Sequence, residues 1–522
     1  MKLRFILLLL CSTLALAQQK PTPKPASQTA HIQRIEQDVA MIALGKDEKP
    51  THFTLPELMK LLDVPGLSVA VFDDYKILWA KGYGVSESGS SNPVTTHTLF
   101  QAGDISQGVA AVGTLALVQQ GKLSLDKNIN DELHSWRLPD NEFTKAEKVT
   151  LRRILSQTAG LPALDFPGYA PADPVAHTEA EPVPTIQQVL DGEKPANTAP
   201  VRVEMVPGAK FQYSNVGPTV EQLVLTDTVG RPFPQVMYDL VLRKARMTES
   251  TFDQSLSAGR MALAAVGTNL DGTSVIGKRH IYPEMAALGL WTTPSDLARF
   301  AIELANSANG RSDRVLSQKM TRLMLKPQFD DRTRCIGFFL NDSNNLAAFS
   351  ADGSTQGFQA IFMATSDTGR GFVIMANSDH GIDVGSYLVP AILKEYGWRF
   401  PAPRVQAETI LRAIASARNV NAALDWFRDL KASGSSEIGY GSYTLNRFGS
   451  LYLRDKDAPG AIKVFKLNAE LFPQAFHTYE LLGQAYMKAG QKDLAIMSYE
   501  KSLELNPKND NAVQMLKKLQ QQ

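Results

Sequence analysis

A serine followed three residues later by a lysine sets a nucleophile and a proton acceptor on one helix face, the spacing that acyl transfer uses. It occurs at Ser124-Leu-Asp-Lys127 and at Ser498-Tyr-Glu-Lys501. The first falls past Gly121, in a loop after a helix, and the second falls inside a helical repeat. Both are read as coincidental matches. A more informative acid stands at Asp104, which opens the apolar helical run in LFQAGDISQGVAAVGTLALVQQGKLSL, residues 99–125, with Gln107 three residues on. An aspartate at a helix start accepts from free backbone N–H groups and suits the positive end of the helix dipole. Asp104 is therefore expected to cap the helix and to stay ionised at neutral pH. Ser106 is no substitute nucleophile: it points roughly 200° around the helix from position 104, with Val109 rather than a lysine at i+3.

Other chemistries find less support. The eight His residues are scattered, with no pair at ligand spacing, so neither a metal nor a cofactor is expected. His280, before IYPEMAALG, is read as structural or surface, with a place in the cleft wall as the alternative. A net charge of +1 gives no electrostatic case for nucleic acid or a membrane surface. The first nineteen residues, MKLRFILLLLCSTLALAQQ, read as an export signal. Lys2 and Arg4 lead, an apolar run follows, and Ala15-Leu16-Ala17 fits a cleavage site near Ala17. Leu10 before Cys11 argues against a lipoprotein signal. Cys11 leaves with the leader, so Cys335 stands alone and no internal disulfide is expected; it is read as a small half-buried residue. No later segment is apolar enough to span a bilayer. The expected location is periplasmic or secreted, with no transmembrane anchor after cleavage.

The elements that must position Asp104 follow from patterning. Residues 67–73 and 76–83 alternate as two strands around an Asp-Asp-Tyr turn. The middle of the chain, about 100–325, is mostly helical and holds a long Pro/Gly-rich loop around 161–209. Four short strand-like runs follow: CIGFFL, LAAFS, GFQAIFMAT and GFVIMAN. A hairpin, a helical insert and further strands give an α+β domain with an antiparallel sheet. Beyond residue 407 the texture is helical and repeats every 34 residues. Tyr479, Leu482, Gly483, Tyr486, Ala495, Tyr499 and Pro507 recur as Leu445, Phe448, Gly449, Tyr452, Ala461, Phe465 and Pro473. This resembles the tetratricopeptide repeat. A degenerate unit with Ala423 and Phe427 is expected over 408–440, and a capping helix over about 509–520. The expected domains are a signal peptide at 1–17, a Pro-rich tether at 18–32, the α+β domain at 33–398, a linker at 399–407 and the all-α repeats at 408–522.

Residues 55–398 resemble the serine β-lactamase and penicillin-binding-protein-like hydrolases, the group that includes class C β-lactamases, esterases and D-amino-acid peptidases. The resemblance rests on VPGLSVAVFDDYKILWAKGYGV, on VTLRRILSQTAGLP at 149–162, on PGAKFQYSNVG at 207–217, on AALGLWTTPSDLARFA at 286–301 and on GSTQGFQAIF at 353–362. It implies a nucleophilic serine where Asp104 stands and a lysine where Gln107 stands. It implies a retained second motif in Tyr213-Ser-Asn215, where the tyrosine moves protons. The third motif, usually His-x-Gly or Lys-Thr-Gly, reads Ala351-Asp352-Gly353, so its glycine is kept and its polar head is lost. Gln157 replaces a histidine common at that landmark.

The family reading implies a hydrolase, and the substitutions imply that this member is catalytically degenerate. Its cleft is expected to bind a peptide, cell-wall fragment or small acyl compound, and its repeats to recruit a protein partner. Two alternatives stand beside this. One is a working β-lactamase, esterase or D-amino-acid peptidase in which Asp104 attacks to form an acyl anhydride with Tyr213 as acid and base. The other is an assembly adapter that works through its repeats alone.

Overall fold

The computed structural model describes residues 27–45, 48–174, 177–329, 333–341 and 348–521. The signal at 1–17 and the tether as far as residue 26 lie outside the described residues. The first helix, Gln28–Gln37, starts inside the stretch expected as tether, with the Ser27 side chain as its N-cap.

The sheet that supports the cleft has six strands: β1 (Gly66–Asp73), β2 (Lys76–Gly84), β3 (Phe339–Asn341), β4 (Ala348–Thr355), β5 (Phe358–Thr365) and β6 (Gly371–Ala376). Their order is β2-β1-β6-β5-β4-β3, and each neighbouring pair is antiparallel. The β1–β2 turn is tight because Asp74 and Tyr75 take φ of 48° and 61°, the left-handed values that a two-residue hairpin turn requires. Of the CIGFFL run only the end enters the sheet.

Both faces of the sheet are covered, and the period-two geometry of a strand assigns alternate residues to two cores. Ala70 and Phe72 of β1 join Phe349, Phe362 and Val373 in the core beneath the helical insert. Leu67, Val69 and Val71 join Ile361, Phe372 and Ile374 on the other face. Helix α1 (Ile105–Gln119) is buried at every position from Ile105 to Leu117, as a helix that is apolar on all sides must be. Helix α2 (Val216–Val229) lies against it, buried from Val216 to Leu225.

The helical repeats follow as Ala407–Ala417 with Val420–Ser433, Ser442–Arg454 with Ala458–Leu471, and Phe476–Lys488 with Lys492–Leu505. Asp510–Gln520 closes the stack. Large residues pack on small ones as the repeat pattern predicts: a Cβ at Gly449 would meet the Phe465 ring at 2.4 Å. Ala423 and Phe427 of the degenerate first unit are fully buried.

That first unit shares its core with the sheet. Ile410, Leu411, Ile414 and Phe427 pack in one cluster with Leu67, Ile374 and helix α3 (Gly381–Tyr396) through Leu388 and Ile392. The stretch at 399–407 contributes buried Phe400, whose ring meets Phe372 at 6.0 Å between centroids, and buried Ala407. A buried charge network crosses the same boundary. Arg412 pairs with Glu408 at 2.8 Å and with Asp63 at 3.0 Å. Nδ1 of His380 lies 2.8 Å from the Asp383 carboxylate, and its Nε2 lies 2.7 Å from the Arg412 guanidinium. Arg447 meets both Asp383 and Glu408. His380, Asp383 and Glu408 bring ligand-type atoms within 4.8 Å of one another, yet two guanidinium groups already fill the positions a cation would take.

Truncating one member of a buried ion network leaves the others uncompensated, at a cost of about 3 kcal/mol or more. Arg412→Ala is expected to lower the unfolding free energy by about that amount, read from urea denaturation. Because one core spans the boundary, the α+β domain and the first repeat are expected to unfold in a single transition.

Candidate functional site

The site is built where the start of α1 meets β4, backbone against backbone. Gly103 has φ of +53°, and a Cβ there would lie 2.3 Å from Ser354 N. A Cβ at Gly353 would lie 1.9 Å from Ala102 O. Both positions therefore need glycine for steric reasons, and their contact brings the Ser354 N–H to the helix start.

Asp104 does not cap α1, contrary to expectation. Its backbone is already helical, with φ of −60° and ψ of −16°, and its side chain makes no cap bond. A capping side chain needs extended backbone at that position. The helical turn at 104 swings the carboxylate outward instead. Oδ2 accepts from Ser354 N–H at 3.1 Å, and Oδ1 accepts a short hydrogen bond from the Tyr213 hydroxyl. Burial works against the helix start on the acidity of Asp104. Burial raises the Asp104 carboxyl above its ordinary value, against the hydrogen bonds from Tyr213 and Ser354 that favour the charged form. The Tyr213 phenol is pushed far up by burial and by the Asp104 charge. It remains a donor and does not serve as a base.

Gln107 stands at the centre of the rest. Its Nε2 donates to Tyr213 Oη at 2.7 Å and to Asn215 Oδ1 at 2.8 Å. Its Oε1 accepts from Gln157 Nε2 at 2.9 Å. Gln157 Oε1 in turn accepts from Ser214 N–H at 2.9 Å, and the Gln157 carbonyl accepts from Gln212 N–H at 2.8 Å. The two glutamines thus tie the Tyr-Ser-Asn loop to α1 through neutral amides, which donate and accept at once. Asp104, Gln107, Tyr213, Asn215 and Ala351 all line one cavity of about 590 Å³. Gly353 is not itself in that lining; it lies between Asp352 and Ser354, which are.

Other sequence candidates fall elsewhere. Ser106 is fully buried, donates to Gly103 O at 2.6 Å and accepts from Leu290 N–H at 3.0 Å. Ser124 and Ser498 serve local backbone bonds. Nδ1 of His280 lies 2.7 Å from Pro167 O, behind the cavity wall. Cys335 lines the cavity, but burial pushes its thiol up to about 12. Sequence reasoning missed Ser354 and gave Gln157 only as a lost histidine. It also missed Glu221, one turn along α2 from Pro218. Burial lifts the Glu221 carboxyl from its ordinary 4.5 to about 8, against a hydrogen bond from Thr114.

The model for the family described as Beta-lactamase matches residues 54–396, and that for Tetratricopeptide repeat matches residues 478–509. The chain is 21% identical over 323 residues to Protein flp of Staphylococcus aureus (strain MW2), covering 60% of this chain and 60% of that protein. It is 27% identical over 250 residues to a beta-lactamase of Pseudomonas fluorescens, covering 47% of this chain and 62% of that one. The match thus spans about 60% of the length of these curated relatives. Among solved structures, the octameric penicillin-binding protein homologue from Pyrococcus abyssi superposes with a TM-score of 0.52 at 22% identity, over 66% of this chain and 76% of that one. The D-amino acid amidase from Ochrobactrum anthropi SV3 superposes with a TM-score of 0.51 at 20% identity, over 65% of this chain and 97% of that one. These likenesses carry the fold.

The raised Glu221 carboxyl has a consequence for stability. The folded chain keeps a proton that the unfolded chain releases, so this contribution is full below about 4.5 and is lost as pH rises through about 8. Glu284, lifted by burial to about 7, acts in the same direction. Glu221→Gln is expected to flatten the fall in stability between about pH 4.5 and pH 8, measured as the urea midpoint against pH.

Proposed function

We propose that this chain, which belongs to the β-lactamase family, is an exported member that holds a ligand in its cleft without turning it over. The ligand class is a peptide, a cell-wall fragment or a small acyl compound. The tetratricopeptide repeats give it a capacity for protein interaction, which we read as recruitment of a partner. Export is read from the leader; among the described residues no helix is long and apolar enough to cross a membrane.

One observation carries the non-catalytic reading. The Asp104 carboxylate sits where an acyl-transfer serine would act, and it is held by the Ser354 N–H and the Tyr213 hydroxyl. A backbone N–H aimed at the helix start is the kind of donor that stabilises a tetrahedral oxyanion. Here the chain's own anion takes it. Among the described residues lining the cleft there is no lysine and no histidine, so no side chain of the usual kind stands ready to deprotonate a nucleophile. Loss of the nucleophile alone is worth roughly a millionfold in rate, about 8 kcal/mol of barrier. An Asp104-centred anhydride mechanism has two points against it: both carboxylate oxygens are engaged, and the Tyr213 phenol is held firmly protonated.

The test is labelling of the purified protein with a fluorescent penicillin and a fluorophosphonate. No stoichiometric label is expected, and one at the cleft would overturn the reading. The triple change Asp104→Ser, Gln107→Lys, Ala351→His is expected to restore labelling, since the cavity has room for an acylating ligand. A folded triple variant that stays unlabelled would show that access to the cleft, and not only its catalytic groups, has been lost.

A further inference from the structure

The cleft carries a charge pattern that the absence of turnover does not account for. Among the described residues, four carboxyl side chains line it, Asp104, Asp165, Glu221 and Asp352, against one cationic side chain, Arg334. The Arg334 guanidinium is stacked between the rings of Phe211 and Phe339, 4.0 and 3.9 Å from their centroids. Around Asp104 the acids share one field: Asp165 raises the Asp104 carboxyl, and Asp104 raises that of Asp352.

A second, independent observation lies deeper. Glu221 is fully buried, and it lines the cavity. Its Oε1 accepts from the Thr114 hydroxyl at 2.5 Å, and its Oε2 has no partner among the described residues. A buried oxygen without a partner is costly, by about 1–3 kcal/mol. Apolar residues also line the cavity, among them Ala111, Leu155, Pro218, Leu288 and Phe338. Asp104 and Ala111 both line the cavity, and seven residues of helix separate them, about 10 Å along the axis. The cleft therefore extends about two helical turns along this helix, with Asp104 at one end of that span, and Glu221, whose Oε2 lacks a donor, is among its lining residues.

We propose that the ligand of this cleft carries a primary ammonium group, seated against Glu221, on an apolar body that fills the cleft. The inference rests on the ligand-binding reading above and names the chemistry of the ligand. An ammonium supplies three donors and a positive charge. It satisfies the orphaned Oε2, and the carboxyls around Asp104 favour its entry. A carboxylate-bearing ligand meets repulsion from the same groups. With its carboxyl lifted to about 8 by burial, Glu221 holds its proton at neutral pH until the cation arrives, so binding releases a proton.

The experiment is isothermal titration calorimetry of the intact chain near neutral pH with hexylamine, hexanol and hexanoate, which share one apolar body. Hexylamine is expected to bind at least about tenfold more tightly than either other probe. Its heat is expected to vary with the ionisation enthalpy of the buffer, the mark of proton release. Glu221→Gln is expected to weaken hexylamine by about tenfold, to abolish the buffer dependence and to leave hexanol binding unchanged; an unaltered circular dichroism spectrum shows that the variant is folded. Asp352→Asn, at the surface, is expected to give a smaller loss that fades with added salt. Hexanol or hexanoate binding as tightly as hexylamine overturns the ammonium and leaves the cleft a binding site. An unchanged hexylamine affinity in folded Glu221→Gln overturns its placement. Binding of none of the three overturns the inference, while the labelling experiment still decides the absence of turnover.

Discussion

The close approach of two backbones at Gly103 and Gly353 is the constraint on which the rest of this site depends. No side chain fits between the start of α1 and β4, so the Ser354 N–H arrives beside the first turn of a buried helix. Any group at position 104 then meets that donor. A serine would place a reacting carbonyl against it. An aspartate supplies its own carboxylate instead, and the same geometry that would serve a transition state now holds a ground state together.

The neighbouring substitutions fit that outcome electrostatically. A lysine in place of Gln107 would sit between the carboxylate and the Tyr213 phenol and neutralise the acid. Gln107 donates to Tyr213 and Asn215 without adding charge, and its own carbonyl is satisfied by Gln157. The result is a chain of hydrogen bonds with a single anion in it. Every member has a partner, which is what a half-buried polar network needs for order. The wider cleft adds carboxyls at Asp165, Asp352 and Glu221, and Arg334, the one guanidinium among its described lining residues, stacks on two aromatic rings. The substitutions thus remove the usual proton acceptors, and the described lining of the cleft carries more carboxyls than cations.

The second constraint is the shared core between the sheet and the first repeat. Each repeat buries its hydrophobic face only by stacking on a neighbour. The first unit stacks on the sheet and α3, and the ion network from Asp63 to Arg447 closes the rim of that contact. The first repeat is therefore continuous with the α+β body, packed on the face of the sheet opposite the one that the helical insert covers.

Much of this was legible in the residues. Alternating strands around Asp74-Tyr75, the all-apolar run after Asp104 and the 34-residue repeat are local patterns, because helix, strand and turn preferences act over a few residues. The motif register did the same for Asp104, Gln107, Tyr213, Asn215, Ala351 and Gly353, which the fold brings to one place. What the Asp104 side chain does was not legible. Its capping role depended on one backbone angle and its acidity on burial, and one of its partners, the Ser354 N–H of β4, comes from 250 residues away. Gln157 as a tether, the orphaned Oε2 of Glu221 and the packing of residues 399–407 likewise arise from contacts between segments distant in sequence. The sequence by itself determined which elements form and which reactive groups are missing. Only the tertiary structure decided where the remaining polar groups find their partners, because hydrogen bonds and desolvation depend on distances that no local pattern specifies.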